Sequence, residues 1–538
     1  MPGSDQINTD VLIAGSGPIG CTFARWLMTN GRRVVMVDGG SQHSPRPGEH
    51  LKNAFVYQRN LDKFTPIVQG LLQPVSVPVA VGYTDTLDPI AFRPRSGTIR
   101  SGQNPRQDAR RNLRNAAVSY CVGGMFTHWT NNTPRPHPAL ERIGFISAEE
   151  WEVLFAAAEK LLNTRTDVYA HAIRHQVVKE ALQRYYHNAL PPQYLVQELP
   201  VAGERRRDND EFVNFTGSDT ILGPLLDDPG YRGGNRFELR PEHRLTRLVA
   251  QSDRIISAEV EDLKRWRTIE VNAEVFIVAA GSILTPQILW KSGIRPRALG
   301  RYLTEHPMTF CQVVLAAELV EAIHSDPRFA AKLKDHEQND PVPIPMHDPP
   351  PMVWIPVSEN RPWHCQIHRD SFQYGGLPPD IDDRLVVDLR WFGMVDPVET
   401  NRVYFEDDMN DLFGMPQPTF DFTLGNNDRK RAHEMLGDMT AAAAALGGYL
   451  TGSEPRFMPL GSSLHFMGTY RMGEANDGTS VTDPQSRVWG YRNLYLGGNG
   501  IIPTSTACNP TLTSIALATR ASPALLGKTP AELAASLV

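Results

Sequence analysis

Cysteine is scarce in the 538-residue sequence: Cys21, Cys121, Cys311, Cys365 and Cys508 are scattered, odd in number and form no C-x-x-C pair. That argues against both a disulfide scaffold and a structural zinc site. No apolar run approaches the roughly 18–20 residues that a membrane helix needs. Positive charge is not in excess either. The 54 basic and 60 acidic side chains leave a net charge of −6, a poor basis for binding nucleic acid or an anionic membrane. Glycine (42) and proline (43) stay well below the roughly 25–30% of low-complexity chains, which excludes a disordered protein. Residues Met1 to Asn8 lack the charged-then-apolar pattern of a secretory leader. The expectation is a soluble cytoplasmic enzyme with neither a nucleic-acid nor a membrane partner.

What is present is concentrated at the start. Asp10 to Ala14 is a β-branched, apolar run that suits a strand buried on both faces, and it ends in Gly15-Ser16-Gly17-Pro18-Ile19-Gly20. Ile19, Phe23 and Leu27 then recur at helical spacing, Gly31 suits a C-cap, and Arg33 to Val37 reads as a second strand closing on Asp38. This is a βαβ opening with G-x-G-x-x-G in its turn. Gly15 permits the tight turn, Gly17 lets the backbone approach a pyrophosphate, and Gly20 allows close helix–strand packing. The helix N-terminus offers unpaired N–H groups to the phosphates, and the Asp38 carboxylate can accept both ribose hydroxyls. An acid at the strand end disfavours NADP; FAD and NAD both stay open on this segment.

Along the rest of the chain, residues 41–115 are irregular and rich in proline and arginine. Arg93, Arg95, Arg100, Arg106, Arg110, Arg111 and Arg114 lack interleaved aromatics and read as solvated or internally paired. Helices are expected over 147–190, opened by a Ser147/Glu150 capping box. Val275 to Val278 reads as a buried parallel strand of the first sheet, followed by a helix with Pro286 in its first turn. The stretch Asp340 to Pro362 is expected to be a surface loop, and Arg384 to Phe392 a sheet strand. Asn493 to Gly498 returns to the first pattern, with a helix from about Leu512.

Three segments together resemble the glucose–methanol–choline family of FAD oxidoreductases. They are the βαβ fingerprint, the segment from Gly281 to Ile294, and the run Asn499-Gly500-Ile501-Ile502-Pro503-Thr504 with Asn509-Pro510-Thr511. Arg295 departs from the second signature, which usually ends in glycine. Within the family the chain is similar to the pyranose oxidase branch. That likeness is carried by Asn60 to Phe64, Gly123 to Thr130, His368 to Gly375, Met415 to Phe422 and Leu464 to Gly473. The implied fold is α/β: a discontinuous, Rossmann-like FAD-binding domain (1–150, 237–301 and 461–538) and an α+β substrate-binding domain (151–236 and 302–460). The second domain is expected to hold an antiparallel sheet capped by helices.

The resemblance also implies site roles. His465 is the base and Asn509 its partner on the substrate hydroxyl, carried by L-H-F-M-G and N-P-T. Gly15, Gly17, Gly20 and Asp38 hold FAD. His128, in T-H-W-T, carries it covalently, with non-covalent binding as the alternative, and Thr130 stands near flavin N5. Gln366, Asp370, Phe372, Tyr374 and Arg390 are expected on the sugar side, since a pyranose presents apolar faces and a rim of hydroxyls. The implied reaction oxidises a ring hydroxyl, at C2 or C3, of a pyranose or glycoside, with O₂ reduced to H₂O₂. Ser463, Ser371 and Gln373 leave the ring position open. A dehydrogenase passing electrons to a quinone and a non-catalytic flavin module are the alternatives. The resemblance leaves monomer or homo-oligomer undecided. His171/His175 and His364/His368 have i, i+4 spacing but no third ligand, so no metal is expected. Without a G-x-S-x-G elbow, serine hydrolase chemistry has no support.

Overall fold

A computed structural model describes residues 6–78, 103–209, 211–227, 236–334, 336, 339–369 and 371–526. Two large sheets organise it. In the first, the strand Gln6–Ala14 pairs in parallel with Val34–Val37 on one side and with Arg267–Val278 on the other. Phe237–Arg240 extends the parallel set beyond Val34–Val37, and Leu494–Leu496 adds to the end of Arg267–Val278. The first half of Arg267–Val278 continues instead into an antiparallel meander through Arg254–Asp262 and His243–Gln251. One long strand therefore serves both the nucleotide-type sheet and its antiparallel extension.

The helix Pro18–Thr29 starts with proline at its first turn and buries Ile19, Phe23 and Leu27 as expected. It packs against the C-terminal helix Thr511–Leu526, where the Trp26 indole N–H donates to Thr519 Oγ1 at 3.2 Å. The helix Ala148–Leu162 packs on Thr511–Leu526 as well, N-capped by Ser147, whose side chain accepts from Glu150 N. Trp151, Leu154, Phe155, Ile221 and Leu225 are members of the same core as Val11, Ile13 and Phe276.

The second sheet is antiparallel. Its order is Gly447–Tyr449, Met308–Leu315, Val386–Gly393, Trp363–His368, Met352–Ile355 and Gln197–Glu198. The two-residue period sorts its strands into two chemically different faces. Cys365, Ile367, Leu389 and Trp391 share a core with Met435, Met439 and Ala442 of the helix Asn426–Leu446, and with Val178 and Leu182 of Ile173–Tyr186. The alternate positions His364, Gln366, Asp388 and Arg390 are polar and equally buried. A buried polar face must find partners or a ligand, and this one turns toward a cavity.

Three sequence expectations need adjustment. The helix after Val278 already begins at Gly281, so Pro286 lies inside it rather than in its first turn. The stretch 340–362 is not a surface loop throughout: Met352–Ile355 is a fully buried strand of the second sheet, and Ile344 and Val353 are 0% exposed. Proline density misled there, because prolines flank the strand rather than interrupt it. The strand near 384–392 begins later, at Val386, and is buried on both faces rather than one. In the arginine-rich region Arg106 pairs with Glu406 and Asp408, and Arg111 with Asp421. Arg93, Arg95 and Arg100 lie outside the described residues.

Candidate active site

The turn after Gln6–Ala14 is built so that only glycine fits. Gly15 has φ +104, and a Cβ there would stand 2.3 Å from the Ala279 carbonyl oxygen; a Cβ on Gly20 would stand 2.0 Å from Gly15 O. Gly17 has no such neighbour and bares its backbone to a cavity of about 340 Å³. Asp38 lines the same cavity. Its carboxylate accepts from Ser16 N (2.9 Å), Ser16 Oγ (2.6 Å) and Gly40 N (2.8 Å). Burial still pushes its pKa upward. Ser16, which the glycine pattern treats as a spacer, ties the turn to the next loop: its Oγ accepts from Gly123 N at 2.8 Å.

That loop carries His128 and Thr130 to the cavity wall. His128 follows a single 3-10 turn, Gly124–Thr127, and places Nε2 3.0 Å from Ser119 Oγ. Burial depresses its pKa to about 4, so the ring is neutral at ordinary pH. Asn132, unnoticed in the sequence, donates to Thr130 Oγ1 (3.1 Å) and Gln366 Oε1 (2.9 Å), joining this loop to the second sheet.

His465 and Asn509 meet on the wall of the same cavity, with Asn509 Nδ2 3.3 Å from His465 Nε2. Burial lowers His465 to about 4. Its ring packs on Phe392 (5.4 Å between centroids) and edge-on to His306 (5.0 Å). Asn509 is held from two sides. Gln366 Nε2 reaches its Oδ1 at 2.6 Å, and Gln366 in turn contacts His364, which accepts from the Trp354 indole N–H at 2.7 Å. The loop before Asn509 is clamped by Glu141, 2% exposed, whose Oε1 accepts from Ala507 N (2.7 Å) and Cys508 N (2.9 Å). Glu305, 0% exposed, holds the loop before His465 through Gly461 N (3.2 Å) and the Ser463 hydroxyl.

The expected sugar-side residues converge here. Gln366, Phe372, Tyr374 and Arg390 line the same cavity, with Gln366 directly opposite Arg390 in the sheet register. Phe372 and Tyr374 stack in parallel (5.2 Å, 8°), and the Arg390 guanidinium lies 4.5 Å from the first ring and 5.2 Å from the second. Asp370 lies outside the described residues. Arg295 stays on the surface, 4.0 Å over Trp290 and paired with Asp407, away from this chemistry. The partners that sequence reasoning missed (Ser16, Asn132, Glu141, Glu305, His306), and His364, which it weighed only as a metal ligand, contact the named residues or the loops that carry them and do not line the cavity. No spacing rule marks such partners.

The glycine turn and its acid, the His/Asn pair and the guanidinium–aromatic cluster therefore all line one cavity. A dinucleotide whose reactive ring faces the pair fits that arrangement. Two segments match the GMC oxidoreductase family model, residues 232–308 and 397–518. Over 96% of its length the chain is 43% identical to a pyranose 2-oxidase of Tricholoma matsutake, of which it covers 93%. It is 33% identical to a C-glycoside 3-oxidase of Microbacterium trichothecenolyticum, over 98% of both chains. Among solved structures, an Arg-to-Ala variant of Aspergillus oryzae formate oxidase, made to study FAD modification, superposes with a TM-score of 0.65 at 13% identity, covering 97% of this chain and 98% of that one. At that identity the superposition speaks for the fold alone. The full-length relatives, together with the two matching segments, place the chain in the GMC oxidoreductase family, whose members use FAD.

Proposed function

We propose that the protein is an FAD-dependent oxidase that converts a secondary ring hydroxyl, at C2 or C3, of a pyranose or glycoside into a ketone, with O₂ reduced to H₂O₂. The observation that carries this reading is the His465/Asn509 pair, set 3.3 Å apart on the wall of the cavity that also holds the nucleotide turn. The full-length relatives that oxidise pyranoses and C-glycosides support it.

FAD, when bound, accepts a hydride at its flavin ring and delivers the two electrons to O₂. The chain's own work is to bind, orient and move a proton. Gly15, Gly17 and Gly20 would leave room for the pyrophosphate, which the N-terminus of the helix Pro18–Thr29 would meet, and Asp38 would hold the ribose hydroxyls. His128 is the proposed point of covalent attachment. Its neutrality leaves a lone pair, and Ser119 steadies the ring. An imidazole nitrogen would replace a hydrogen of a flavin ring methyl, the N–H and C–H hydrogens and two electrons ending on O₂ as H₂O₂. Thr130, oriented by Asn132, stands on the flavin side.

His465 removes the hydroxyl proton as the hydride leaves the same carbon. Asn509 hydrogen-bonds the substrate oxygen beside it. Phe372 and Tyr374 offer an apolar face, while Arg390 and Gln366 read the hydroxyl rim; Asp370 is proposed on that rim too. Two units are proposed, an FAD unit around the first sheet and a substrate unit around the second. The packing of Ala148–Leu162 and Ile221–Leu226 into the first core supports moving both segments into the FAD unit.

The test is anaerobic mixing of the holoenzyme with D-glucose, other pyranoses and C- and O-glycosides. Bleaching of the flavin, then peroxide and a ring ketone in air, is the expected result; product NMR assigns C2 or C3. If no pyranoside bleaches the flavin, the reading fails. Comparing O₂ with benzoquinone turnover tests the acceptor.

A further inference from the structure

Behind His465, away from the cavity, runs a chain of hydrogen-bonding groups: His306, Thr506 and Met467. His306 is 1% exposed, Thr506 4% and Met467 0%, and none of the three lines the cavity. No bulk water reaches this chain to reverse its direction.

The end group sets that direction. A thioether sulfur accepts hydrogen bonds and donates none. Thr506 Oγ1 lies 3.3 Å from Met467 Sδ, so its proton points there. Thr506 Oγ1 is then an acceptor toward His306 Nε2, 3.4 Å away. With its proton on Nε2, neutral His306 keeps a lone pair on Nδ1. That atom stands 3.1 Å from His465 Nδ1, across two rings inclined at 73°. Two lone pairs cannot face each other at that distance, so His465 carries its own proton on Nδ1. Its Nε2 is left bare, facing Asn509 and the cavity.

We propose that His306 is a positioning residue that selects the Nε2-basic tautomer of His465, through the polarity that Met467 and Thr506 impose. The proposal rests on the oxidase reading for its kinetic test. It extends that reading by naming what readies the base before any substrate arrives. As the proton moves from the sugar hydroxyl to His465 Nε2, the Nδ1–H bond to His306 remains in place, so the imidazolium keeps a buried acceptor.

The experiment uses holoenzyme and anaerobic stopped-flow reduction by the pyranoside that the wild type oxidises. His306→Leu removes the acceptor and is expected to slow flavin reduction about 100-fold. The sugar concentration for half-saturation should change by less than about threefold, because His306 does not touch the cavity. His306→Gln offers an amide oxygen to His465 Nδ1–H and is expected to keep the rate within about tenfold of wild type. Wild-type reduction by His306→Leu, or equal loss in His306→Gln, overturns the proposal. If His306→Leu yields no holoenzyme, Thr506→Val decides: about tenfold slower reduction supports the relay, and an unchanged rate overturns it. The ¹⁵N shifts of His465 in the wild type read the tautomer with no sugar present. Nδ1 protonated is expected; Nε2 protonated overturns this proposal, whereas failure of every pyranoside to reduce the flavin overturns the oxidase reading alone.

Discussion

Asn509 Nδ2 lies 3.3 Å from His465 Nε2, although 44 residues separate them in the chain. Each is delivered by a different buried carboxyl group: Glu305 binds the loop before His465, and Glu141 binds the loop before Asn509. The pair is thus the meeting point of two independently anchored loops.

Removing either member should reach the chemical step rather than binding. His465→Ala is expected to slow sugar-dependent flavin reduction by roughly 10²–10⁴, the usual worth of a positioned base. Asn509→Ala should cost less, since a hydrogen bond is lost and no proton acceptor. Rapid-mixing rates at saturating sugar measure both.

Glu141→Gln keeps the shape but turns an acceptor-only group into one with a donor edge. Three backbone N–H groups, of His137, Ala507 and Cys508, face the native carboxylate. At least one loses its acceptor, which costs about 1–3 kcal/mol when buried. A lower melting temperature, together with slower reduction because Asn509 is loosened, is the expected pairing; an unchanged Tm would contradict the clamp.

Arg390 tests how the sugar wall works. Its planar guanidinium lies over Phe372 and Tyr374, a geometry that an ammonium does not reproduce. Arg390→Lys is expected to raise the sugar KM about tenfold with a smaller change in kcat. A large loss of kcat at unchanged KM would place Arg390 in the chemistry instead.

Colour reports on His128. Acid-precipitated wild-type protein should stay yellow, and His128→Ala protein should release all its flavin to the supernatant. Complete release from the wild type would assign non-covalent FAD and leave His128 a packing role beside Ser119.

The buried titratable groups predict a stability optimum on the acid side of neutral. Burial lowers His128, His175 and His465 to about 4 and His364 to about 3. Between pH 6.5 and 4 the unfolded chain binds protons that the folded one refuses, so stability falls as pH falls. Glu305 acts oppositely. Burial raises it to about 7, so the stability tied to its protonated form is present below its ordinary pKa and is lost as pH rises through 7. Melting temperatures from pH 4.5 to 8.5 should pass through a maximum, and Glu305→Gln should flatten the alkaline side.

Much of the architecture was legible in one dimension because it is local. The G-x-G-x-x-G turn, the helix Pro18–Thr29, the buried strand ending at Val278 and the Ser147 cap all follow from near-neighbour sterics and periodicity. The strand Met352–Ile355 was hidden because flanking prolines resemble loop chemistry and four apolar residues carry too little periodicity. The sugar-side residues were legible only through resemblance. On the strands Trp363–His368 and Val386–Gly393 alternation separates polar from apolar positions, but with every position buried it does not say that the polar face meets a ligand rather than protein partners.

The sequence by itself determined the nucleotide turn, since a Cβ at Gly15 or Gly20 would collide with backbone within 2.3 Å, and the family resemblance it carries singled out His465 and Asn509. Tertiary structure alone decided which groups stand behind them. That His306, Thr506 and Met467 form one line, or that Glu141 reaches across 366 residues to the Ala507 amide, depends on how two sheets and their loops pack. Hydrogen bonds act over about 3 Å in space, and no spacing along the chain encodes that distance.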